Sequence, residues 1–149
     1  MKIAVEKLQE KEIVLHESIP ARNWDLDSND VKFIKDISLT GKFRKLGSEV
    51  VVDTETVVRR RITCSRCLEE AVQEVPYTFT LNFALGDIRE FLEIDEAVRE
   101  EILLRFPMKV LCRPDCKGMC PACGVNRNNE PCSCQTGVSH AAARHTDDT

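Results

Sequence analysis

Val50-Val51-Val52-Asp53-Thr54-Glu55-Thr56-Val57-Val58-Arg59-Arg60-Arg61-Ile62-Thr63-Cys64-Ser65-Arg66-Cys67 is the stretch that decides the fold. Val50, Val52, Thr54 and Thr56 alternate with Val51, Asp53, Glu55 and Val57, and residues 58–63 continue the run. A period of two carried by Val and Thr fits a strand, not a helix. Before it, Ile37, Leu39 and Gly41 lead to a turn around Gly47-Ser48. After it, Tyr77, Phe79, Leu81 and Phe83 alternate and should share one face of a sheet. Three consecutive strands with tight connections imply an antiparallel meander. Cys64 and Cys67 then fall at the tip of a hairpin, where a zinc knuckle sits.

Outward from this meander the signals weaken. Residues 1–15 mix apolar and charged side chains and read as short strands. Residues 18–30 hold Pro20, Asn23, Asp25, Asp27, Ser28, Asn29 and Asp30, which is loop chemistry, with Trp24 as a packing anchor. A short strand is expected at 88–94. Asp95 reads as a helix N-cap, followed by Glu96 where the helix dipole favours it. Val98, Ile102 and Phe106 lie four apart, with Leu103 beside them, and Pro107 ends the helix.

The fold class expected is therefore α+β. It has a β-rich antiparallel sheet, one main helix and a C-terminal cysteine-rich zinc module. The expected organisation is a β-rich domain at 1–107, a zinc module at 108–134 packed on the 64–67 knuckle, and a disordered tail at 135–149.

The 149 residues are 42% hydrophobic and 31% charged, which suits one globular domain with a short appendage. No apolar run approaches the roughly 20 residues that span a bilayer. Lys2, Glu6, Lys7, Glu10, Lys11 and Glu12 break up the first segment, so it does not read as a signal peptide. The expected location is the cytoplasm. Thiols there stay reduced, which makes eight cysteines poor disulfide candidates and good metal ligands.

Their pattern is C-x2-C at Cys64 and Cys67, then C-x3-C-x3-C-x2-C-x8-C-x-C from Cys112 to Cys134. Two residues between ligands let one turn present both sulfurs to one ion, and Gly124 supplies the left-handed residue such a turn needs. Eight thiolates make two zinc sites of four. One division puts Cys120, Cys123, Cys132 and Cys134 together and leaves Cys64, Cys67, Cys112 and Cys116 as the second set. Interleaved ligands are the alternative. The two halves of the cysteine set are not copies of each other in sequence. The string Cys116-x3-Cys120-x2-Cys123 also spells the C-x3-C-x2-C of radical S-adenosylmethionine enzymes. That reading is rejected, because such chemistry needs a large barrel and leaves five cysteines without a role. His16, His140 and His145 have no ligand spacing to the cysteines.

No nucleophile–base set, phosphate loop or hydrolase motif is present. Closed four-thiolate sites leave no open position for water, so neither an enzyme nor a small-molecule substrate is expected. The net charge of -4 argues against a large RNA footprint but not a local one. Arg59, Arg60, Arg61 and Arg66 flank the first knuckle. Lys109, Arg113, Lys117 and Arg127 lie in the cysteine module. Basic neighbours of a knuckle suit RNA loops and phosphates. The plainer reading is solvated cations paired with Glu69, Glu70 and the acidic linker.

Cys64-Ser65-Arg66-Cys67-Leu68-Glu69 after a long strand, Glu100-Glu101-Ile102-Leu103-Leu104 with Pro107, Lys117-Gly118-Met119-Cys120-Pro121-Ala122-Cys123-Gly124-Val125-Asn126, and Cys132-Ser133-Cys134 together resemble the bacterial YceD-like family, the large ribosomal RNA subunit accumulation proteins. The resemblance spans roughly Val31 to Cys134. It implies a role in accumulating or processing 23S ribosomal RNA during large-subunit assembly. The implied partners are 23S rRNA or its precursor, a large-subunit ribosomal protein, or both. No catalytic residues come with it. A different class also fits: a zinc-centred redox switch or chaperone-like protein-binding module, since C-x2-C plus C-x-C centres occur in a redox-regulated heat-shock chaperone.

Overall fold

The computed structural model describes residues 1–8 and 11–134. The expected tail at 135–149, with His140 and His145, lies outside the described residues. The elements in chain order are β1 (Lys2–Ala4), β2 (Ile13–Ile19), β3 (Val31–Phe33), β4 (Ile37–Leu46), β5 (Glu49–Thr63), β6 (Glu70–Ala84), β7 (Phe91–Glu93) and α1 (Asp95–Leu104).

β4, β5 and β6 form the antiparallel meander. Leu46 pairs with Glu49 across a tight turn in which Gly47 takes φ +60, a conformation costly for any residue with a Cβ. β6 lines the whole length of β5, from the Glu49–Ala84 pair to the Thr63–Glu70 pair. β4 covers residues 49–57 on the other edge, and β3 covers residues 60–62 beyond it. β2 extends the sheet on the far side of β4, and β1 pairs with β7 in a separate two-stranded sheet.

The period of two does what it should. Val50, Val52, Thr54, Thr56, Val58, Arg60 and Ile62 are buried on one face of β5. Thr54 is admitted to that face because its hydroxyl donates to the Phe79 carbonyl at 2.6 Å. Tyr77, Phe79 and Leu81 from β6 and Ile37, Leu39 and Phe43 from β4 join the same core. Ile94, Val98 and Ile102 of the helix segment close it, and Trp24 seals the loop side.

The helix departs from expectation at its start. Asp95 is its first residue and Ile94 holds the cap position, with no side-chain cap hydrogen bond. β7 runs directly into the helix, so the apolar Ile94 fills the core. The Asp95 carboxylate then pairs with the Met1 α-amino group instead of a backbone N–H. The expected strand at 88–94 is shorter, Phe91–Glu93, because only these three residues pair with β1. Phe106 lies past the helix end and stacks on Phe33 with ring centroids 5.9 Å apart.

Ile102 is fully buried, whereas Leu104 is 80% exposed on the same helix. Ile102→Ala should lower unfolding free energy by about 2–5 kcal/mol in urea titrations. Leu104→Ala should change it by less than about 0.5 kcal/mol.

Candidate metal centres

Two short turns carry the cysteines. The first spans the β5–β6 connection, where the Leu68 N–H donates to the Cys64 carbonyl at 2.9 Å and the Cys64 N–H to the Glu69 carbonyl at 2.9 Å. In the second, the Gly124 N–H donates to the Cys120 carbonyl at 2.8 Å and the Cys120 N–H to the Val125 carbonyl at 2.8 Å. The two turns are therefore local copies in backbone geometry, although their sequences differ. In both, the residue after the second cysteine is left-handed: Gly124 at φ +73 and Leu68 at φ +60. Leucine in that conformation costs roughly 1–2 kcal/mol, so the first turn is held by its surroundings.

Those surroundings are the segment after the helix. The Ser65 N–H donates to the Val110 carbonyl at 2.8 Å and the Met119 N–H to the Arg66 carbonyl at 3.0 Å. The Arg66 guanidinium donates to the Cys116 carbonyl at 3.0 Å, and Gln73 on β6 donates to the Leu111 carbonyl at 2.7 Å. Gly118 permits this approach: a Cβ there would stand 3.1 Å from the Arg66 carbonyl oxygen.

The thiols gather into Cys64, Cys67, Cys112 and Cys116, and into Cys120, Cys123, Cys132 and Cys134. Within each set all sulfurs lie within 4.8 Å of one another. These are the same two sets that the spacing suggests. Cys64–Cys116 and Cys67–Cys112 are each 3.7 Å apart, and Cys123–Cys132 are 3.6 Å apart. A tetrahedron with metal–sulfur bonds of about 2.3 Å has edges of about 3.8 Å, whereas a disulfide would need about 2.05 Å. Each set can hold a tetrahedral metal ion. The first set is enclosed, with Cys64, Cys67 and Cys116 buried, while Cys123 of the second is exposed.

The electrostatics of the metal-free sets are uneven. Burial opposes ionisation of Cys64, but backbone N–H groups of Cys67, Arg66 and Cys112 outweigh it and bring the thiol down to about 6. The N–H groups of Cys123 and Ala122 do the same for Cys120, also to about 6. Burial, then the neighbouring thiols, pushes Cys112 up to about 12. Cys134, facing Cys123 and Cys132, is likewise pushed up to about 12. At Cys116 burial again opposes the thiolate, yet the Asn128 amide and the Gly118 N–H hold it below its ordinary value.

The basic residues separate. Arg61, Arg66, Lys109, Arg113 and Lys117 are exposed, and Arg59 and Arg127 are half-buried. Arg60, expected among the surface cations, is only 5% exposed. Its position in the alternation puts it on the core face with Val58 and Ile62. There it donates to Gln73 at 3.2 Å and to the Tyr77 hydroxyl at 3.5 Å, and it lies 5.6 Å from the Phe106 ring centroid. The period of two already contained that signal. Asn128 was missed for a different reason. Nothing in the spacing of the cysteine loop marks it, yet its amide donates to the Cys116 sulfur at 3.3 Å.

Residues 85–143 match the model of the family described as large ribosomal RNA subunit accumulation protein YceD. The YCED homolog 1 of Zea mays, a chloroplastic large ribosomal RNA subunit accumulation protein, is 30% identical over 70 residues, 46% of this chain and 23% of that protein. Over these residues the chain is similar to the YceD-like family. Uncharacterized proteins of Mycobacterium tuberculosis and Mycobacterium bovis are 31% identical over 100 residues, 56% of this chain and 48% of theirs. The chain thus spans about half the length of these first relatives. No solved structure gives a match. The family match begins at residue 85, so it takes in the helix and the cysteine module but not the sheet hairpin that carries Cys64 and Cys67.

Cys64→Ser should release one equivalent of metal and keep the other, read by metal analysis of the purified protein. Loss of both would show that the sets depend on shared ligands. A metal ion requires four thiolates, so falling pH must weaken binding. With Cys64 and Cys120 at about 6, acidification through that range removes the most easily formed thiolate of each set. Metal held through dialysis at about pH 7.5 should be lost at about pH 5.

Proposed function

We propose that this chain is a non-catalytic zinc factor that supports accumulation of 23S ribosomal RNA and assembly of the large ribosomal subunit in the cytoplasm. The observation that carries this reading is an overlap. The family match at residues 85–143 takes in six of the eight cysteines, and those six, with Cys64 and Cys67, make up two gathered sets of four sulfurs. Zinc is the ion that four thiolates in this geometry select in a reducing compartment. A closed four-sulfur site leaves no position for a reacting water, so the zinc would be structural. Its contribution is to give a segment with little apolar core a fixed surface.

The contact with ribosomal RNA or a ribosomal protein falls, on this reading, to the cations around the module. Zinc with four thiolates carries a net charge of about -2, which nearby cations partly neutralise. Arg66 lies against Cys116 through its carbonyl and belongs to that group. Arg61 and Arg113 have carboxylate neighbours, Glu70 at 3.9 Å and Asp115 at 3.6 Å. Lys109 and Lys117 are exposed and have no ion-pair partner among the described residues, so they are the first choice for phosphate or acidic contacts. Arg60 is excluded by its burial.

Cells lacking the protein should show a fall in 23S rRNA and in mature large subunits, with small subunits as the internal control. Wild-type protein should restore the ratio, and Cys64→Ser should not. An unchanged ratio of the two subunits in the deletion strain would refute the assembly role.

A further inference from the structure

Asn128 ties the two cysteine sets together. It lies in the loop between Cys123 and Cys132, both of the outer set, yet its side chain serves Cys116 of the inner set. The amide nitrogen donates to the Cys116 sulfur at 3.3 Å and to Asn126 Oδ1 at 2.8 Å. The amide oxygen accepts from the Lys117 N–H at 2.8 Å, the residue next to Cys116. The loop itself folds back through Arg127 N–H to the Gly118 carbonyl at 3.0 Å, and through Asn129 and Glu130 N–H groups to the Asn126 carbonyl, each at 3.0 Å.

No residue of 124–131 is buried as a whole, and Val125 is the segment's one aliphatic side chain larger than a methyl outside proline. With so little apolar contact, the loop's order depends on what clamps its ends, and those ends are Cys123 and Cys132. We infer that an ion in the outer set orders this loop and thereby delivers the Asn128 amide to Cys116, so that filling the outer set strengthens binding at the inner one. The inference rests on the metal reading above and names Asn128 as the positioning residue that couples the sites. Coupling of this kind is reciprocal by thermodynamic necessity. A hydrogen bond to a ligating sulfur also lowers the electron-donating power of that sulfur, so its removal should be visible in the spectrum of a bound ion.

The test uses the full chain loaded with Zn2+ in competition with a chromophoric chelator, and with Co2+ for its sulfur-to-metal charge-transfer band. Asn128→Ala should weaken the inner site ~10-fold and move its charge-transfer band to lower energy, while the outer site, read in the Cys64→Ser background where the inner set is empty, stays within ~3-fold. Emptying the outer set by Cys120→Ser with Cys132→Ser should weaken the inner site ~10-fold in the wild-type background, but by no more than ~2-fold when Asn128→Ala is already present. Asn128→Asp keeps the acceptor for Lys117 but turns a carboxylate toward the thiolate, and should weaken the inner site at least as much as the alanine variant.

Wild-type inner affinity and spectrum in both Asn128 variants would overturn the inference. So would an undiminished effect of the outer substitutions in the Asn128→Ala background. If the doubly substituted outer variant does not fold, the two Asn128 variants, with all eight cysteines in place, decide the matter. Wild-type protein that takes up neither ion would sink the metal reading itself, a different result from two ions bound without coupling.

Discussion

The meeting of Cys64 and Cys67 with Cys112 and Cys116 is the contact on which the rest of the module depends. The main core unites the sheet and the helix. The inner thiols form a second, much smaller buried cluster with Leu111. Between Arg105 and Cys134 there is no helix and no strand, only the isolated Met119–Asn126 bridge. A segment like this has neither the apolar area nor the hydrogen-bond ladder to offset its own ordering entropy. Four sulfurs drawn from both sides of the junction supply what those are missing. The hydrogen bonds of Ser65 and Arg66 to the same segment hold the first turn, in which Leu68 sits at φ +60.

The hairpin that carries the first turn has a second attachment to the module, and it runs through a buried cation. Arg60, Ile62 and Cys64 alternate on the core face of β5, so the guanidinium lies on the same strip as the first ligand. Gln73 accepts from Arg60 and passes the connection to the Leu111 carbonyl. No carboxylate pairs with Arg60 among the described residues, so the Phe106 ring, the Tyr77 hydroxyl and the Gln73 amide must bear the cost of its desolvation. Such a charge is tolerated only when its neighbours are fixed. The sheet, the helix end at Phe106 and the module therefore constrain one another at this point.

What could be read from the sequence follows from the range of each interaction. The meander was legible because alternation in β5 and β6 is a local, repeated signal, and the two-residue separation of Cys64–Cys67 and Cys120–Cys123 is local too. Arg60 was misread because a run of three arginines looks like a basic patch until the period of two is carried through it. Asp95 was misread because its partner is an amino group 94 positions away. Asn128 and Gly118 could not be read at all. Their roles exist only once the second turn is laid against the first, and an asparagine in a cysteine loop looks the same whether it makes a turn or holds a sulfur. Leu68 gave no sign for the opposite reason, since the rule that glycine follows the second cysteine predicts nothing about a leucine there.

The two cysteine sets also differ in what closing them costs the chain. The inner set joins residues 45 and 52 positions apart, whereas Cys123 and Cys132 in the outer set are 9 apart. Closing a loop five times longer costs about 1.4 kcal/mol more in chain entropy. The outer set is therefore the local structure and the inner set the long-range one. The exposure of Cys123 and the burial of Cys64 follow the same division, a self-contained turn at the surface against a junction inside the fold. The outer loop already carries the Asn128 amide that the inner set uses. In this arrangement the cheaper closure lowers the cost of the dearer one, and a module without a core of its own can be assembled in stages against a sheet that is already in place.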